Sequence, residues 1–399
     1  MMEKKLIDIT ATFGTPLYVY DEQRIIDQVD TLKTSFTYPD LIFCYAMKAN
    51  SNLAVLDTLR HQGIGVDCVS QGEMITALRA GFEPSKIRFT PTFASTEEII
   101  FAIEQGIQLT VDSMQMVDWM LVNRPQTPMG LRMNPSVMAG AYEKTSVGHA
   151  KAKFGIGMNY VPALLDLIEY KGLKINGLHI HSGSDILEAS QFMQAVEVLL
   201  EVAPKFPKLE YIDLGSGFKV SYYPGDKATN IRTLGQIVSD RFSKFCTHYG
   251  SPLRLIFEPG KFIVSHAGRF LVTCTGVKEN GGITFAGVDS GFNHLIRPMF
   301  YGAYHTINNL SNPSGSLLTY DVVGNICETD TFASDRSIAQ IRPGDILEFE
   351  NAGAYCFSMS SPYNSRPRPA EVYFRSDGST QLIRRRETIE DILALQINL

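Results

Sequence analysis

The sequence of 399 residues has no apolar run near the roughly 18 consecutive residues that a membrane-spanning helix requires. It also has no basic stripe, because 36 lysines and arginines are spread among 42 acidic residues and give a net charge of −6. Its first residues, Met1–Asp8, contain no apolar stretch of signal-peptide length. These absences argue against a membrane or nucleic acid as a partner, and they predict a cytoplasmic protein.

Paired cysteines are missing as well. The sequence contains no C-x-x-C pair, and its six cysteines stand far apart, at Cys44, Cys68, Cys246, Cys274, Cys327 and Cys356. Zinc sites and disulfide frameworks need clustered or regularly spaced cysteines. We therefore expect free thiols and neither a zinc site nor a set of disulfides.

The chain does contain enough apolar material for a sizeable core. Of its residues, 44% are hydrophobic and 20% are charged, which excludes the disordered and fibrous classes. At about 100–200 residues per domain, the length predicts two or three domains. The order of elements along the chain decides how these domains are built.

In the first part of the chain, short β-rich runs alternate with stretches whose apolar residues recur at helical spacing. The runs are Leu41–Met47, Gly65–Val69, Ile87–Thr90, Leu109–Asp112, Met129–Asn134, Gly177–His181, Tyr211–Gly215 and Arg254–Glu258. Strands and helices alternating in this way predict a (β/α)8 barrel of the TIM type, which usually takes about 250 residues. An open doubly wound sheet is the alternative, but no G-x-G-x-x-G fingerprint follows the first strand.

After residue 262, apolar runs are separated by turn residues and helical stretches are few. The predicted strands are Val264–Lys278, Ile283–Val288, Leu317–Val323, Asp345–Phe349 and Ala370–Phe374. Leu17–Tyr20 predicts a strand that can join them from the other end of the chain, and Glu387–Leu395 predicts a closing helix. We thus predict a barrel over residues 22–262 and a mainly antiparallel β domain over residues 1–21 and 263–399.

A barrel enzyme builds its active site from residues at the carboxyl ends of its strands. The reactive residues at these ends are Lys48, Asp67, Arg132, Asn134, His179, His181, Ser184, Gly215, Ser216, Gly217 and Glu258. A desolvated lysine amine facing a barrel interior is a candidate for a Schiff base. Taken alone, Lys48 is better explained by an exposed position just past the strand, since lysines are mostly exposed.

Two other features of the same barrel end favour chemistry at Lys48. The turn Gly215-Ser216-Gly217 is typical of loops that hold phosphate by backbone N–H groups, and Pro259-Gly260 fixes Glu258 at the barrel mouth. An ordinary tight turn and a salt bridge remain the structural alternatives. Together, the amine, the turn and the carboxylate fit pyridoxal 5′-phosphate, whose aldehyde needs an amine and whose ring nitrogen needs an acid. His181 would lie flat against the ring.

His179 and His181 flank Ile180 and are predicted to share one face of the sixth strand. This spacing leaves two alternatives open: histidines of the barrel core without a chemical task, or two ligands of a metal-dependent hydrolase. The metal alternative needs further ligands at other strand ends, where only Asp67 and Asp112 are available. We therefore predict no metal site.

Ten motifs, in order along nearly the whole chain, resemble those of the fold-type III pyridoxal-phosphate-dependent decarboxylases, which have an alanine-racemase-like barrel. They are Phe43–Asn50, Gly65–Ser70, Lys153–Ile156, His179–Ser184, Asp213–Phe218, Glu258–Gly260, Val288–Gly291, Ile296–Tyr301, Gly324–Asp330 and Ala352–Arg366. The resemblance is strongest to members that convert meso-2,6-diaminopimelate to L-lysine and carbon dioxide, the last step of lysine biosynthesis. It therefore implies a carboxy-lyase.

The resemblance also implies which residues bind the cofactor: Lys48, Asp67, His181, Ser184, Gly215, Ser216, Gly217, Glu258, Lys261 and Tyr355. Lys48 forms the Schiff base, His181 stacks on the ring, and Glu258 pairs with the pyridine nitrogen. Ser184, Gly217 and Tyr355 hold the phosphate. Lys48, His181, Glu258 and Cys327 make up the expected catalytic set, with Cys327 as the proton donor.

The implied substrate contacts are Arg297, Tyr301, Glu328, Tyr355 and Lys261. Arg297 and Tyr301 grip the retained carboxylate, a bidentate task suited to arginine, and Glu328 contacts the distal ammonium group. In this family Cys327 and Glu328 reach the cofactor of the other subunit, so the resemblance implies a homodimer with shared active sites. The sequence pattern alone would place Cys327 in a core, as it does the other cysteines.

Four positions depart from the family pattern. Lys261 stands where arginine is usual, which keeps the charge but loses the planar fork. Ser216 interrupts a usual triple glycine, Ser182 replaces an aliphatic residue, and Val147 replaces a threonine. None of these departures removes a chemical group that the reaction requires.

Three alternatives to diaminopimelate turnover remain. A decarboxylase for ornithine, arginine or carboxynorspermidine is disfavoured by Arg297 with Tyr301, because those substrates lack a comparable distal carboxylate. An alanine racemase is disfavoured by Glu258, since its ring nitrogen faces arginine. A pyridoxal-phosphate-binding regulatory homologue without turnover is disfavoured by the presence of Lys48, Cys327 and Glu328.

Overall fold

The computed structural model describes residues 2–137 and 152–397, so Val147 lies outside the described residues. The chain divides into two compact units. The first unit comprises Ile26–Val220 and Lys227–Ile263, and the second comprises Met1–Ile25, Ser221–Asp226 and Val264–Leu399. Ser221–Asp226 thus falls inside the range predicted for the barrel but groups with the second unit.

The first unit is a closed parallel barrel. Its eight strands are Leu41–Ala46, Gly65–Cys68, Ile87–Phe89, Gln108–Val111, Met129–Asn134, Ile175–His179, Tyr211–Asp213 and Arg254–Phe257. The ring closes where the first strand pairs with the eighth, with Leu41 opposite Leu255. The predicted (β/α)8 barrel is confirmed, and the open-sheet alternative is wrong.

Helices follow the strands around the barrel. They are Leu53–His61, Gln71–Arg79, Thr96–Glu104, Met114–Asn123, Val161–Lys171, Ala189–Val202 and Ile231–Tyr249, and Glu22–Ser35 precedes the first strand. Several begin at polar caps: the side chains of Ser70, Ser95, Ser113 and Asn230 each accept a hydrogen bond from an N–H of the first turn. Among the described residues, no helix has the length and apolar character of a membrane span.

The sixth strand differs from its prediction. It runs from Ile175 to His179 instead of from Gly177 to His181, so His181 lies in the loop beyond it. Inside the barrel, Gly177 faces the ring of Tyr211, and a Cβ on Gly177 would lie 2.0 Å from Tyr211 Cζ. Only glycine fits there. Tyr211 also packs with Cys44 and Ile256 in the barrel interior.

The second unit is built on a nine-stranded sheet. Its strands are Leu17–Asp21, Gly268–Asn280, Ile283–Val288, Ile307–Asn309, Leu317–Val323, Thr331–Ala339, Ile346–Phe349, Ala370–Phe374 and Thr380–Arg384. Most pairs are antiparallel, but Leu17–Asp21 runs parallel to Ala370–Phe374. The prediction of a second, mainly antiparallel β unit that includes Leu17–Tyr20 is confirmed.

Some elements of this unit were not expected from the sequence. Helix Met2–Phe13 contributes Leu6 and Ile9 to a core with Leu17, Val372 and Phe374. The long strand starts at Gly268 instead of Val264, because Lys261–Val264 is helical. The predicted closing helix is shorter than expected and spans Ile389–Leu393, and a short helix that was not expected spans Arg297–Tyr301.

Candidate active site

Lys48 follows the first barrel strand in the 3₁₀ turn Met47–Ala49. Its side chain is 39% exposed, and its Nζ lies 3.3 Å from Oδ2 of the fully buried Asp67. Lys48 is therefore only partly buried, and its amine does not undergo the full desolvation expected from the sequence. The amine instead pairs with a carboxylate from the end of the second strand.

Asp67 is held from two sides. Thr90 donates a hydrogen bond to Oδ1, and Lys48 donates one to Oδ2. Burial and the nearby Glu258 carboxylate raise the pKa of Asp67 to about 7, although Lys48 and Thr90 act in the other direction. A carboxyl group with this pKa binds a proton more readily than an exposed aspartate does.

Glu258 follows the eighth strand and is buried with His179 from the end of the sixth. Nε2 of His179 lies 3.1 Å from Oε2 of Glu258. Burial opposes ionisation of Glu258, but His179 and Lys48 outweigh it and hold the pKa of Glu258 below its usual value. Burial lowers the pKa of His179, so a neutral ring that donates its Nε2–H to the carboxylate fits the geometry.

The second oxygen of Glu258 has a different environment. Oε1 is buried and has no hydrogen-bond partner among the described residues. A buried carboxylate oxygen without a donor is costly, and such groups commonly mark the place of a bound molecule. A protonated ring nitrogen is a suitable donor, so Glu258 fits pyridoxal phosphate in this structure.

His181 lies in the loop after the sixth strand, where its Nδ1 accepts a hydrogen bond of 3.3 Å from the backbone N–H of Ser216. Burial, together with the positive charges of Arg132 and Lys48, lowers the pKa of His181 to about 3. The ring is therefore neutral at physiological pH. A neutral ring can stack on an aromatic cofactor without adding charge.

Two N–H groups of the turn Gly215-Ser216-Gly217 donate to other residues of the barrel. Gly215 donates to Asp213 Oδ1, and Ser216 donates to His181. The N–H of Gly217 has no acceptor among the described residues. A Cβ on Gly217, whose φ is +112°, would lie 2.1 Å from the carbonyl oxygen of Gly183, so the loops after strands six and seven are in direct contact.

Lys261 stands at the start of the short helix after Glu258-Pro259-Gly260. Its Nζ lies 2.8 Å from both carboxylate oxygens of Asp185, the residue that follows the half-buried Ser184. The sequence carried no signal for this ion pair beyond the fact that Asp185 adjoins Ser184.

A group of buried metal-binding side chains occurs in the barrel: His179, Asp213 and Glu258, whose ligand atoms lie within 4.8 Å of one another. The sequence suggested His179, His181, Asp67 and Asp112 as possible metal ligands, and of these only His179 belongs to the group. The expectation that His179 and His181 share one face of a strand is wrong, because the strand ends at His179. The His179–Glu258 hydrogen bond already occupies one potential metal-ligand atom of each residue, Nε2 of His179 and Oε2 of Glu258.

The second unit contains Arg297 at the start of a short helix, buried at 5% exposure. Its guanidinium lies 3.4 Å from the hydroxyl of Tyr222 and 3.5 Å from Nε2 of His305. Nδ1 of His305 lies 2.7 Å from the carbonyl oxygen of Glu350, which fits a ring that donates from Nδ1 and accepts at Nε2. Burial and Arg297 lower the pKa of His305 to about 3.

Cys327 and Glu328 are exposed in the loop between two strands of the same unit. The N–H of Cys327 donates to Asn364 Oδ1 at 3.2 Å, and the hydroxyl of Tyr363 donates to Glu328 Oε1 at 2.5 Å. The other five cysteines are buried and all six are free thiols, as expected from the sequence. Cys327 alone departs from the burial that is usual for cysteine.

Tyr355 and Tyr301 are half-buried in the second unit. Tyr355 has a φ of +58°, in the left-handed region that only a few residues other than glycine adopt. Tyr301 ends the helix begun by Arg297 and contacts the ring of Phe300 edge-on, with centroids 4.7 Å apart. Strained backbone of this kind is often found at functional sites.

Several partners of the expected residues were missed: Thr90, Asp185, Tyr222, His305 and Tyr363. Each acts on a candidate residue from a distant part of the chain or from a loop. Polar residues of this kind are common in sequences, and no local spacing distinguishes them.

Comparison with known proteins identifies the family of this chain. Residues 22–265 match the family described as "Pyridoxal-dependent decarboxylase, pyridoxal binding domain". A diaminopimelate decarboxylase of Methanothermobacter thermautotrophicus is 39% identical, over 97% of this chain and 92% of that protein. One of Aquifex aeolicus is 34% identical, over 97% of this chain and 93% of that protein.

The solved structures lead to the same family. The diaminopimelate decarboxylase of Helicobacter pylori, solved in complex with L-lysine, has a TM-score of 0.88 and 30% identity, covering 98% of this chain and 99% of that one. The family match covers the barrel range, and the relatives are similar over nearly the full length of this chain, which includes the second unit. The chain therefore belongs to the pyridoxal-dependent decarboxylase family, within the diaminopimelate decarboxylases.

Proposed function

We propose that this protein converts meso-2,6-diaminopimelate to L-lysine and carbon dioxide, with pyridoxal 5′-phosphate as its cofactor. The observation that carries the substrate assignment is the 39% identity to a diaminopimelate decarboxylase over 97% of the chain. The barrel supports the cofactor assignment, because its mouth holds an amine, a buried carboxylate oxygen without a donor, and a free turn N–H in the described residues.

The cofactor is held by residues of known chemistry. Lys48 Nζ is the amine for the covalent bond to the aldehyde, and Glu258 Oε1 is the acceptor for the ring N–H. Ser184, the turn Gly215-Ser216-Gly217 and Tyr355 would bind the phosphate, and His181 would lie against the ring. When bound, pyridoxal phosphate takes up the electron pair of the bond that breaks as carbon dioxide leaves.

Asp67 is the carboxylate that interacts with the Lys48 amine and influences its protonation. The amine must lose a proton before it can act as a nucleophile. Asp67 lies 3.3 Å away and its pKa is raised to about 7, so its carboxylate is a stronger proton acceptor than that of an exposed aspartate. Thr90 keeps the carboxylate oriented through its own hydrogen bond.

Glu258 keeps a proton at the ring nitrogen. The hydrogen bond from His179 and the nearby positive charge of Lys48 favour its ionised form. An ionised carboxylate in a buried site stabilises a protonated nitrogen more strongly than it would in water. His179 therefore supports the electron-accepting state of the site by holding Glu258.

In the second unit, Arg297 and Tyr301 bind the carboxylate that the substrate retains, and Glu328 binds its distal ammonium group. The contacts of Arg297 with Tyr222 and His305 limit the rotation of a long side chain before substrate arrives. Cys327 Sγ then donates the proton that replaces carbon dioxide on the α-carbon. Tyr363 holds Glu328 by a hydrogen bond.

We further propose a homodimer in which Cys327 and Glu328 serve the active site of the partner subunit. The exposure of both residues in a single chain supports this arrangement. Co-refolding Lys48→Ala with Cys327→Ala tests it: heterodimers would regain one native site, giving about a quarter of the parent activity in an equal mixture. A mixture as inactive as its components would refute the sharing of sites.

The cytoplasm is the proposed compartment. An exposed thiol that must donate a proton is lost on oxidation, and the cytoplasm keeps such thiols reduced.

Carbon dioxide release from diaminopimelate, ornithine, arginine and lysine, measured side by side, tests the substrate. We expect turnover of diaminopimelate in clear preference to the others. Preference for ornithine or arginine would refute the substrate while leaving the family intact. A protein that binds the cofactor but turns over none of these substrates would be a regulatory homologue.

A further inference from the structure

The Asp185–Lys261 ion pair lies within the barrel unit, among the loops that carry the proposed cofactor contacts. Its two side chains are only 5% and 13% exposed, and Lys261 Nζ approaches both carboxylate oxygens at 2.8 Å. An ion pair so shielded from water is costly to break from one side, because the remaining charge is left buried.

Asp185 adopts an unusual backbone conformation. Its φ of +58° lies in the left-handed region, which aspartate and asparagine tolerate better than most residues. The next residue, Ile186, donates its N–H to the carbonyl oxygen of Gly217 at 2.9 Å and forms an isolated parallel bridge with Phe218. The loop after strand six is thus bonded to the loop after strand seven directly beyond Asp185.

The loop after strand eight is tied to the same assembly. Ser216 Oγ donates to the carbonyl oxygen of Glu258 at 2.8 Å, and the N–H of Glu258 donates to the carbonyl oxygen of Gly215, also at 2.8 Å. Lys261, three residues after Glu258, adds the contact to Asp185. Each of the three loops therefore contacts the other two. The Asp185–Lys261 ion pair is the contact between the loops after strands six and eight.

We propose that Asp185 and Lys261 form a positioning pair, which holds the loop of Ser184 and the loop of Glu258 at the spacing that the cofactor requires. This inference rests on the proposed function only in assuming that these loops bind pyridoxal phosphate. It assigns to Lys261 a different task from the direct cofactor or substrate contact implied by the family arginine. Because both oxygens of Asp185 face Nζ, the charge of Lys261 is used within the protein.

The test compares Asp185→Asn, Lys261→Met and the double variant by titrating the apo-protein with pyridoxal phosphate and following the visible absorption band. Asparagine suits the left-handed position, so the loop backbone is retained. We expect each single variant to bind the cofactor about tenfold more weakly. The double variant should bind no more weakly than the singles, because partners in one interaction are not additive.

Two further variants serve as controls. Lys261→Arg keeps a cation opposite Asp185 and should recover most of the cofactor affinity that Lys261→Met loses. Glu197→Gln removes a surface pair of similar geometry, since Arg241 Nη2 lies 2.7 Å from Glu197 Oε2 with side chains 35% and 41% exposed. It should leave cofactor affinity unchanged, because exposed pairs contribute little. Far-ultraviolet circular dichroism of each apo-variant checks that it is folded.

Two outcomes would overturn the proposal. If Lys261→Met weakens cofactor binding while Asp185→Asn leaves it unchanged or strengthens it, Lys261 contacts the cofactor itself. If Lys261→Met leaves cofactor affinity unchanged and raises only the KM for diaminopimelate, Lys261 binds substrate. The binding titration uses no substrate, so its result stands even if the protein acts on a different amino acid.

Discussion

The two units differ in how their functional residues are placed. In the barrel, Lys48, Asp67, His179 and Glu258 stand at or just past the carboxyl ends of strands, and hydrogen bonds between neighbouring strands bring them together. In the second unit, Cys327, Glu328 and Tyr355 lie in loops between strands, and Arg297 begins a five-residue helix.

This difference teaches where sequence patterns carry functional information. Parallel strands in a closed barrel deliver all their carboxyl ends to one rim, so position along the chain is enough to collect the site. A mainly antiparallel sheet has no such common rim. In the second unit only the resemblance to known decarboxylases singled out the functional residues.

The largest effect that the comparison predicts is the loss of Lys48. Lys48→Ala removes the amine that holds the cofactor, so we expect kcat to fall by about 10⁴-fold or more. The visible absorption band of the bound cofactor should disappear. Rate assays and absorption spectra of the purified variant measure both effects. A band that persists in Lys48→Ala would show that a different lysine is the attachment point.

The next largest effect on kcat is expected for Glu258 in the barrel. Glu258→Gln keeps the shape of the side chain but loses the charge that holds a proton at the ring nitrogen, so kcat should fall by about 10³-fold. The cofactor band should remain. His179→Gln, which retains a donor toward Glu258, serves as the matched control and should lose far less activity. Equal losses in the two variants would mean that the charge of Glu258 is not what matters.

Cys327 tests the second unit. Removing a general acid typically costs about 10²-fold, so Cys327→Ala should lower kcat by that factor without raising the KM for diaminopimelate. Cys356→Ala removes a buried thiol of the same unit and should change stability more than rate. The contrast between barrel and second unit would break if Cys327→Ala retained full activity, since its exposed loop would then have no chemical task.

Lowering the pH should reduce the free energy of unfolding of both units, because each contains a buried neutral histidine. This is the smallest of the predicted effects. The pKa of His305 is lowered to about 3 in the folded protein, whereas an unfolded histidine titrates near about 6.5. Below that pH the unfolded chain binds a proton that the native chain does not. The stability that neutral His305 contributes is therefore present above about pH 6.5 and is lost as the pH falls toward 3.

His305→Gln removes this dependence from the second unit. Between about pH 7 and about pH 5, the free energy of unfolding should fall by about 2 kcal/mol less in the variant than in the parent. Urea unfolding at the two pH values measures the difference. His181→Gln makes the same comparison in the barrel, because burial, Arg132 and Lys48 lower the pKa of His181 to about 3. An unchanged pH dependence in both variants would contradict the low pKa values.

Much of the fold was predictable from local pattern. Met129–Asn134, Ile283–Val288, Leu317–Val323 and Ala370–Phe374 occupy the ranges that the sequence pattern indicates. These elements carry a clear apolar face. Helix Met2–Phe13 and strand Thr331–Ala339 were missed, since the helix has no basic residue in its last turn and the middle of the strand is polar.

The sequence by itself determined the barrel, the second β unit and the residues that stand at the strand ends, because periodicity and chain order are local properties. Only the tertiary structure decided how those residues act on one another. The His179–Glu258 hydrogen bond joins residues 79 positions apart, and the Lys261–Asp185 pair joins residues 76 positions apart. Such pairs depend on distance in space, burial and orientation, which the order of residues does not contain.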